Sequence, residues 1–367
     1  MKTACFCTLR RQGERHFDRE RDMPREAKDL YLKRLRKAVI EGQLDRRGFM
    51  MGAIAAGLSV TAATNLYSRA AKAAPNKGGR FRVALDDGNT TDSVDPATYE
   101  STFQITMAHT HRSYLTEISP DNVVIPELAE SWEASPDATT WTMKLRKDVE
   151  FHNGKTFDAN DAAASLNYHR GEDTKSAAKA LLESVEDISV DDPHTLVVKL
   201  KSGSADFPYV LTDYHLVMLP SDGEGNALWQ DGVGAGGYVL NDFEPGIRAR
   251  MTRHPNYWKE GRAHFDEVEF FAIPDVNARQ TGLTTDELDA MIEVDLKTAK
   301  LLGRRPEIEV IEVPSGTHVT MAMHVDVPPF DNNDVRLALK YVMDREASLQ
   351  KVLKGHGTIG NDHPIAP

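Results

Sequence analysis

The sequence predicts a mixed α/β body built from more than one lobe, and three observations favour it. The 294 residues that follow Ala73 are enough for two domains of ordinary size. Segments that alternate like strands are interleaved with segments that carry helix-cap signals. They show neither a strict strand-helix-strand order nor an internal repeat, so a multi-lobed α/β or α+β architecture is favoured over a regular one.

Several segments alternate between polar and apolar residues, as half-buried strands do. The first is Arg80–Leu85, which follows two glycines. Thr140–Arg146 alternates again, with Trp141, Met143 and Leu145 on one face and an Asn-Gly turn shortly after it. Further strands are predicted at Thr195–Leu200, Tyr238–Phe243, Ala249–Arg253, Val268–Ile273, Ile308–Val313 and His318–Val325.

Helices are predicted where capping residues precede a helical pattern. Asp158–Asp161 is typical of an N-cap followed by an acidic first turn, and the helix continues from Ala162 to His169 before Gly171. Further helices are predicted at Asn277–Thr281, Asp295–Leu302 and Asn333–Leu353.

An export signal precedes this body. Two adjacent arginines, Arg46 and Arg47, stand before an uncharged run from Met51 to Ser68, an order typical of a twin-arginine signal. Glycine, serine, threonine and asparagine dilute the run, which makes it too weakly apolar for a good membrane span. Ala71 and Ala73 match the small-x-small pattern of signal peptidase, so we expect cleavage after Ala73. The alternative is an uncleaved amphipathic or anchoring helix.

The charge distribution supports this cut. Residues 1–73 hold 16 Lys and Arg against 8 Asp and Glu, which leaves a net charge of −20 on the rest of the chain. A body this acidic does not bind nucleic acid through its general field. Both cysteines, Cys5 and Cys7, precede the cut, so no disulfide or thiolate site is expected after it. The leader is longer than a signal needs, and Met23 is an alternative start.

Three patterns that resemble catalytic or metal motifs fail on their context. Gly154-Lys155-Thr156 resembles the end of a phosphate loop, but Val149 stands where the first glycine belongs. Gly232–Gly237 has dinucleotide-binding spacing, yet it leads into a strand instead of a helix. His109-Thr110-His111 offers two imidazoles with no third ligand at the required spacing. We therefore expect no catalytic residues, no metal site and no cofactor.

A series of segments remains that is specific as a set. In order along the chain, they are Val94-Asp95-Pro96, Pro126–Glu133, Trp141–Arg146, Phe151–Asp161, Gly234–Tyr238, His254–Trp258 and Asn333–Leu339. The series resembles the peptide, dipeptide and nickel class of extracytoplasmic solute-binding proteins that serve ABC importers, from about Gly78 to Pro367. One departure is Gly237, where the family usually has proline.

The resemblance implies a two-lobed fold, like that of periplasmic binding proteins, which closes on its ligand by a hinge. The first lobe would span 74–314, with an inserted subdomain at 120–211. The second lobe would begin at 315 and be incomplete at 367, because family members continue beyond this point.

The resemblance also implies where a ligand binds. Glu100, Ser101 and Thr102 stand where peptide-binding members offer extended backbone to the ligand. Ser315, Thr317 and His318 stand at the crossing between lobes, where relatives place ligand-facing side chains.

The expected function is that of a monomeric periplasmic subunit. It would capture peptides or another small solute and deliver them to the ABC permease in the inner membrane. A carrier of nickel-type metal chelates is the alternative within the family, and a secreted hydrolase is the alternative outside it.

Overall fold

The computed structural model describes residues 25–40, 44–72, 77–313 and 319–360. Its α-helices are α1 Arg25–Ile40, α2 Arg46–Ala55, α3 Val60–Lys72, α4 Thr102–His111, α5 Ala159–Tyr168, α6 Phe207–Val210, α7 Val276–Thr284, α8 Ala299–Leu302, α9 Asn333–Val342 and α10 Arg345–Lys351. Short 3-10 helices lie at Pro96–Thr98 and Ala177–Leu182.

The strands are β1 Arg80–Leu85, β2 Thr116–Ile118, β3 Val124–Pro126, β4 Ala129–Ala134, β5 Thr140–Leu145, β6 Val185–Asp192, β7 Thr195–Leu200, β8 Tyr238–Glu244, β9 Arg248–Arg253, β10 Glu267–Ala272 and β11 Ala290–Met291. They form a five-stranded sheet in the order β11-β1-β10-β9-β8, a pair β2-β3, and a four-stranded sheet in the order β4-β5-β7-β6. The predicted mixed α/β fold is therefore confirmed.

The chain divides into two compact units. Of the described residues, the first comprises those up to Arg80 together with Ala108–Asn241 and Met251–Val268, and the second comprises Phe81–Met107, Asp242–Arg250 and those from Glu269 onward. The predicted boundary between lobes, at 314–315, lies outside the described residues. The predicted lobes and inserted subdomain therefore stay a prediction.

The four-stranded sheet of the first unit is antiparallel and carries the largest core. Trp141, Met143 and Leu145 are buried on one face of β5, as their alternation predicts, while Lys144 between them is exposed. Helix α5 contacts β6 and β7. Its N-terminus has the predicted cap, because the Asp158 side chain accepts hydrogen bonds from the first turn and Asp161 reciprocates.

In the second unit, β1 is parallel to β11, with Val83 opposite Ala290 and Ala84 opposite Met291. Arg82 forms an ion pair with Asp289 beside this pairing, with Nη2 to Oδ1 at 2.9 Å. This ion pair supports the register in which β11 pairs with β1.

Three predictions about the later chain are wrong. Residues 308–313 and 319–325 are not strands. The helix predicted at Asn333–Leu353 is broken, because Met343 is extended and Asp344 caps a new helix by accepting from the Ala347 amide at 2.8 Å. Alternation and helical spacing alone detect neither a missing partner strand nor an internal cap.

The uncharged run of the predicted export signal contains two helices. It is divided between α2 and α3 by a turn in which Gly57 has a φ of +83°. No helix in the described part of the chain is both long and apolar enough to cross a membrane.

Candidate functional site

Five of the seven motif segments meet in the first unit, near the C-terminal end of α4. Gly234 and Gly236 pack there against backbone: a Cβ atom on Gly234 would lie 2.0 Å from the His111 carbonyl oxygen, and one on Gly236 would lie 2.5 Å from the His111 carbonyl carbon. The Gly236 amide donates to the His111 carbonyl at 3.1 Å. The glycines of this segment therefore permit close backbone packing.

The His152 ring, in the Phe151–Asp161 segment, forms hydrogen bonds with the same glycines. The Gly234 amide donates to its Nδ1 at 3.3 Å, and its Nε2 lies 3.1 Å from the Gly236 carbonyl oxygen. A neutral ring with its hydrogen on Nε2 satisfies both contacts. Burial lowers the pKa of His152 to about 4, although the bond to Gly236 opposes the shift. His152 is therefore a structural, uncharged histidine.

The His254–Trp258 segment completes the network. The His254 ring lies edge-on to His152 at 5.0 Å, and its amide donates to the Gly237 carbonyl at 2.9 Å. The Arg146 guanidinium lies 4.7 Å from the centre of the Trp258 ring, and its Nε donates to the Glu127 carbonyl oxygen at 2.6 Å. Motifs that are distant in sequence thus support one another physically.

Acid conditions should test the role of His152. Its folded pKa of about 4 lies below the ordinary 6.5, so the unfolded chain binds a proton here that the folded chain does not. The resulting stability is present above pH 6.5 and is lost as the pH falls towards 4, at up to about 1.4 kcal/mol per pH unit.

We expect His152→Asn to reduce the difference in unfolding free energy between pH 7 and pH 5, measured by urea titration. The matched control is His324→Asn, at an exposed position. Equal pH dependence in the wild type and in His152→Asn would contradict this assignment. His169, whose pKa is also lowered to about 4 by burial, contributes a slope of the same sign in both proteins.

A cavity of about 320 Å³ lies beside this network in the first unit. Its walls are formed by His109, Thr110, Arg112, Tyr114, Glu117, Glu127, Gly237, Tyr238, Tyr257, Lys259, Arg262 and Ala263. Lys259 and Glu117 form an ion pair on the wall. The lining offers donors and acceptors of both charge signs, which suits a small polar molecule or ordered water.

Glu127 is the buried acid of this cavity, with 6% of its surface exposed. Its Oε2 accepts a hydrogen bond from the Tyr114 amide at 3.1 Å. Burial raises its pKa to about 8, while the charge of Lys259 opposes the shift. At neutral pH the folded protein therefore keeps this carboxyl group largely protonated.

Replacing Glu127 by glutamine should remove a pH effect of opposite sign. Because the folded pKa is raised from 4.5 to about 8, the stability from the protonated group is present below pH 4.5 and is lost as the pH rises through 8. As the pH rises from 5 to 8, we expect Glu127→Gln to lose less unfolding free energy than the wild type, by an amount on the order of a few kcal/mol. Urea titrations at both pH values measure it. Glu133→Gln, at an exposed position, is the control, and an unchanged difference in Glu127→Gln would disprove the assignment.

The predicted ligand residues Glu100, Ser101 and Thr102 lie in the second unit, at the start of α4. The Ser101 hydroxyl is buried, donates to Asp92 at 3.1 Å and accepts from the Gln104 amide at 3.1 Å, so it caps the helix. Thr102 is the first helical residue, and Glu100 is exposed. The Glu100 side chain is thus the member best placed to meet a ligand.

The structure describes only some of the remaining predicted ligand and export-signal residues. Ser315, Thr317 and His318 lie outside the described residues, as does Ala73, and Ala71 lies within α3. Arg46 and Arg47 are exposed at the start of α2, where the Asp45 side chain caps the helix by accepting from the Gly48 amide at 2.8 Å. The ligand and cleavage residues therefore stay predictions.

Of the two histidines rejected as metal ligands, His109 and His111, the second has a structural role. His111 is fully buried, and its Nε2 accepts a hydrogen bond from the Arg112 Nε at 3.0 Å. Within the described part of the chain, no three His, Cys, Asp or Glu side chains are grouped to hold a metal ion.

Sequence reasoning missed the Glu127 cavity and the contact between His152 and His254. Both histidines and Glu127 lie in the segments that carry the family resemblance, which was the available signal. Their partners are far away in sequence, so the contacts themselves could not be inferred.

Solved structures of periplasmic binding proteins share this fold. AgaA from A. tumefaciens R10, solved in complex with agropinic acid, matches with a TM-score of 0.67 at 25% identity, covering 78% of this chain and 59% of that one. NikZ from Campylobacter jejuni, solved in complex with Ni(L-His), matches with a TM-score of 0.69 at 20% identity, covering 78% and 57%. The fold is thus that of the periplasmic binding proteins.

Comparison of sequences identifies the family. Residues 123–367, more than half of the chain, match the model of bacterial extracellular solute-binding proteins, family 5, and the chain belongs to this family. The glutathione-binding protein GsiB of Salmonella paratyphi A is 27% identical over 279 residues, or 75% of this chain and 54% of the relative. GsiB of Escherichia coli O6:K15:H31 is 28% identical over 312 residues, or 84% and 59%. The chain thus spans little more than half the length of these relatives.

Proposed function

We propose that this chain is part of the extracytoplasmic solute-binding subunit of an ABC importer, which captures a peptide or similar small solute and delivers it to the membrane permease. The observation that carries the proposal is the family match over residues 123–367. The family consists of binding proteins, and its members are extracytoplasmic. We infer that this protein, too, binds its solute without transforming it.

The proposed ligand contacts are Glu100, Ser101 and Thr102, together with Ser315, Thr317 and His318. The Ser101 hydroxyl already serves the helix cap, and its amide and carbonyl are bonded to the Gln104 side chain and the Ile105 amide, so a ligand at Ser101 would have to share or replace one of these bonds. Glu100 is exposed and carries a charge, which suits recognition of a positively charged group such as a peptide amine.

Ligand binding should be measured on the full-length protein, by calorimetry and thermal unfolding with dipeptides, glutathione, agropinic acid and Ni(L-His). We expect one of these classes to bind with 1:1 stoichiometry and to raise the melting temperature as RT ln(1 + [L]/Kd) predicts. Glu100→Gln should weaken binding by about tenfold, and Glu133→Gln, another exposed position, should not.

A null result with all four classes would argue against the peptide-type solute. Preference for Ni(L-His) would favour the metal-chelate alternative. Product formation from peptides or glycosides would show that the protein is a hydrolase instead.

We further propose that the precursor is exported by the twin-arginine route. The exposed pair Arg46 and Arg47 supports this, because guanidinium groups that are accessible at the start of a helix are available to a receptor. The monomeric state and the cleavage after Ala73 belong to the same proposal.

A further inference from the structure

The leader has an unexpected organisation, because α1 packs against both helices of the export signal. Contacts join α1 to α2, α1 to α3, and α2 to α3. Phe49 and Ala53 of α2 and Ala63 of α3 are fully buried in the resulting cluster. The apolar part of the signal is thus partly covered by the segment that precedes it.

Helix α1 has an apolar stripe along one side, as is typical of a helix that packs against another surface. Leu32, Leu35 and Val39, at spacings of three and four residues, pack into the cluster. Lys33 and Arg36 are exposed on the rest of the helix. Helix α1 is therefore amphipathic, and its apolar stripe is used within the chain.

Glycine makes the close approach possible. A Cβ atom on Gly52 would lie 3.0 Å from a Leu35 methyl carbon and 3.1 Å from the Tyr31 hydroxyl oxygen. The ring of Phe49 packs against Tyr67 at 5.5 Å between centres, which joins α2 to α3. Arg46 and Arg47 remain exposed, so only the apolar component of the signal is covered.

We propose that α1 is an intramolecular cover for the apolar segment of the export signal, and that it must leave this segment before the precursor can be exported. The proposal rests on the proposed export function. The exposed arginines can be recognised in either state, but in this proposal export also requires the apolar segment, so the observed export rate is reduced by the fraction of precursor that is covered.

The packing is tested first, on purified full-length precursor in which Cys5 and Cys7 are replaced by serine. A cysteine is placed either at Ala53, which is fully buried, or at Met51, which is 65% exposed. We expect maleimide to label Ala53→Cys at least about tenfold more slowly than Met51→Cys. Adding Leu35→Gln/Val39→Gln should accelerate the labelling of Ala53→Cys and leave the labelling of Met51→Cys unchanged. Equal labelling of the two positions without that change would overturn the cover.

Export is tested next, by pulse-chase of the full-length precursor. Leu35→Gln/Val39→Gln should mature on the order of tenfold faster than the wild type, while the matched surface variant Lys33→Gln/Arg36→Gln should mature at the wild-type rate. Maturation of Leu35→Gln/Val39→Gln at the wild-type rate or more slowly would overturn the proposal.

The failure of this proposal can be distinguished from failure of the export assignment. If Arg46→Lys/Arg47→Lys still matures, the twin-arginine assignment fails. If that variant is blocked and Leu35→Gln/Val39→Gln matures at the wild-type rate, only the cover fails.

Discussion

Replacing Gly236 by valine is expected to prevent the first unit from folding. A Cβ atom at this position would lie 2.5 Å from the His111 carbonyl carbon and 2.7 Å from the Arg112 nitrogen, and both are backbone atoms that cannot rotate away. Separating the two chain segments would also disturb both contacts of His152. We expect a loss of more than about 4 kcal/mol in unfolding free energy, which leaves little folded protein.

Soluble yield, circular dichroism and urea titration of the full-length protein measure this effect. The control is Gly223→Ala, where a Cβ atom would meet nothing within 4 Å but φ is +83°. This change should cost only about 1 kcal/mol, through backbone strain alone. Wild-type stability of Gly236→Val would show that the glycine segment is placed differently.

Replacing both Arg46 and Arg47 by lysine is expected to hold the precursor in the cytoplasm. Lysine keeps the charge but loses the planar guanidinium, and a receptor that reads the pair by its fork of donors should no longer bind it. Fractionation and immunoblotting of the full-length protein should show only the uncleaved form, inside the cell.

The matched control changes two other exposed arginines of the leader, as Arg34→Lys/Arg36→Lys. This variant should accumulate in the periplasm like the wild type. Periplasmic accumulation of Arg46→Lys/Arg47→Lys would contradict the twin-arginine assignment and would favour a route that recognises only charge and hydrophobicity.

The sequence predicted those elements in which local pattern and tertiary packing agree. Trp141, Met143 and Leu145 alternate because one face of β5 is buried, and Asp158 caps α5 with its own neighbours. The family resemblance likewise depends on short runs of residues that can be read locally.

Features that depend on distant residues could not be predicted in this way. The carboxyl group of Glu127 is buried against Tyr114 and faces a wall that includes Lys259, a residue well over a hundred positions away. Residues 308–313 alternate but pair with no strand among the described residues, and nothing in the local pattern reveals this. The predicted helix from Asn333 was interrupted by a cap that Asp344 provides from within the pattern.

The parallel pairing of β1 with β11 also has a consequence for the order of folding. Val83 meets Ala290 only after the ribosome has made the whole chain between them, and closing so long a loop is slow. The antiparallel sheet is complete in sequence by Leu200 and can form earlier. During synthesis, β1 therefore has to wait for both of its neighbours, β10 and β11, and its unpaired backbone is open to mispairing in that interval.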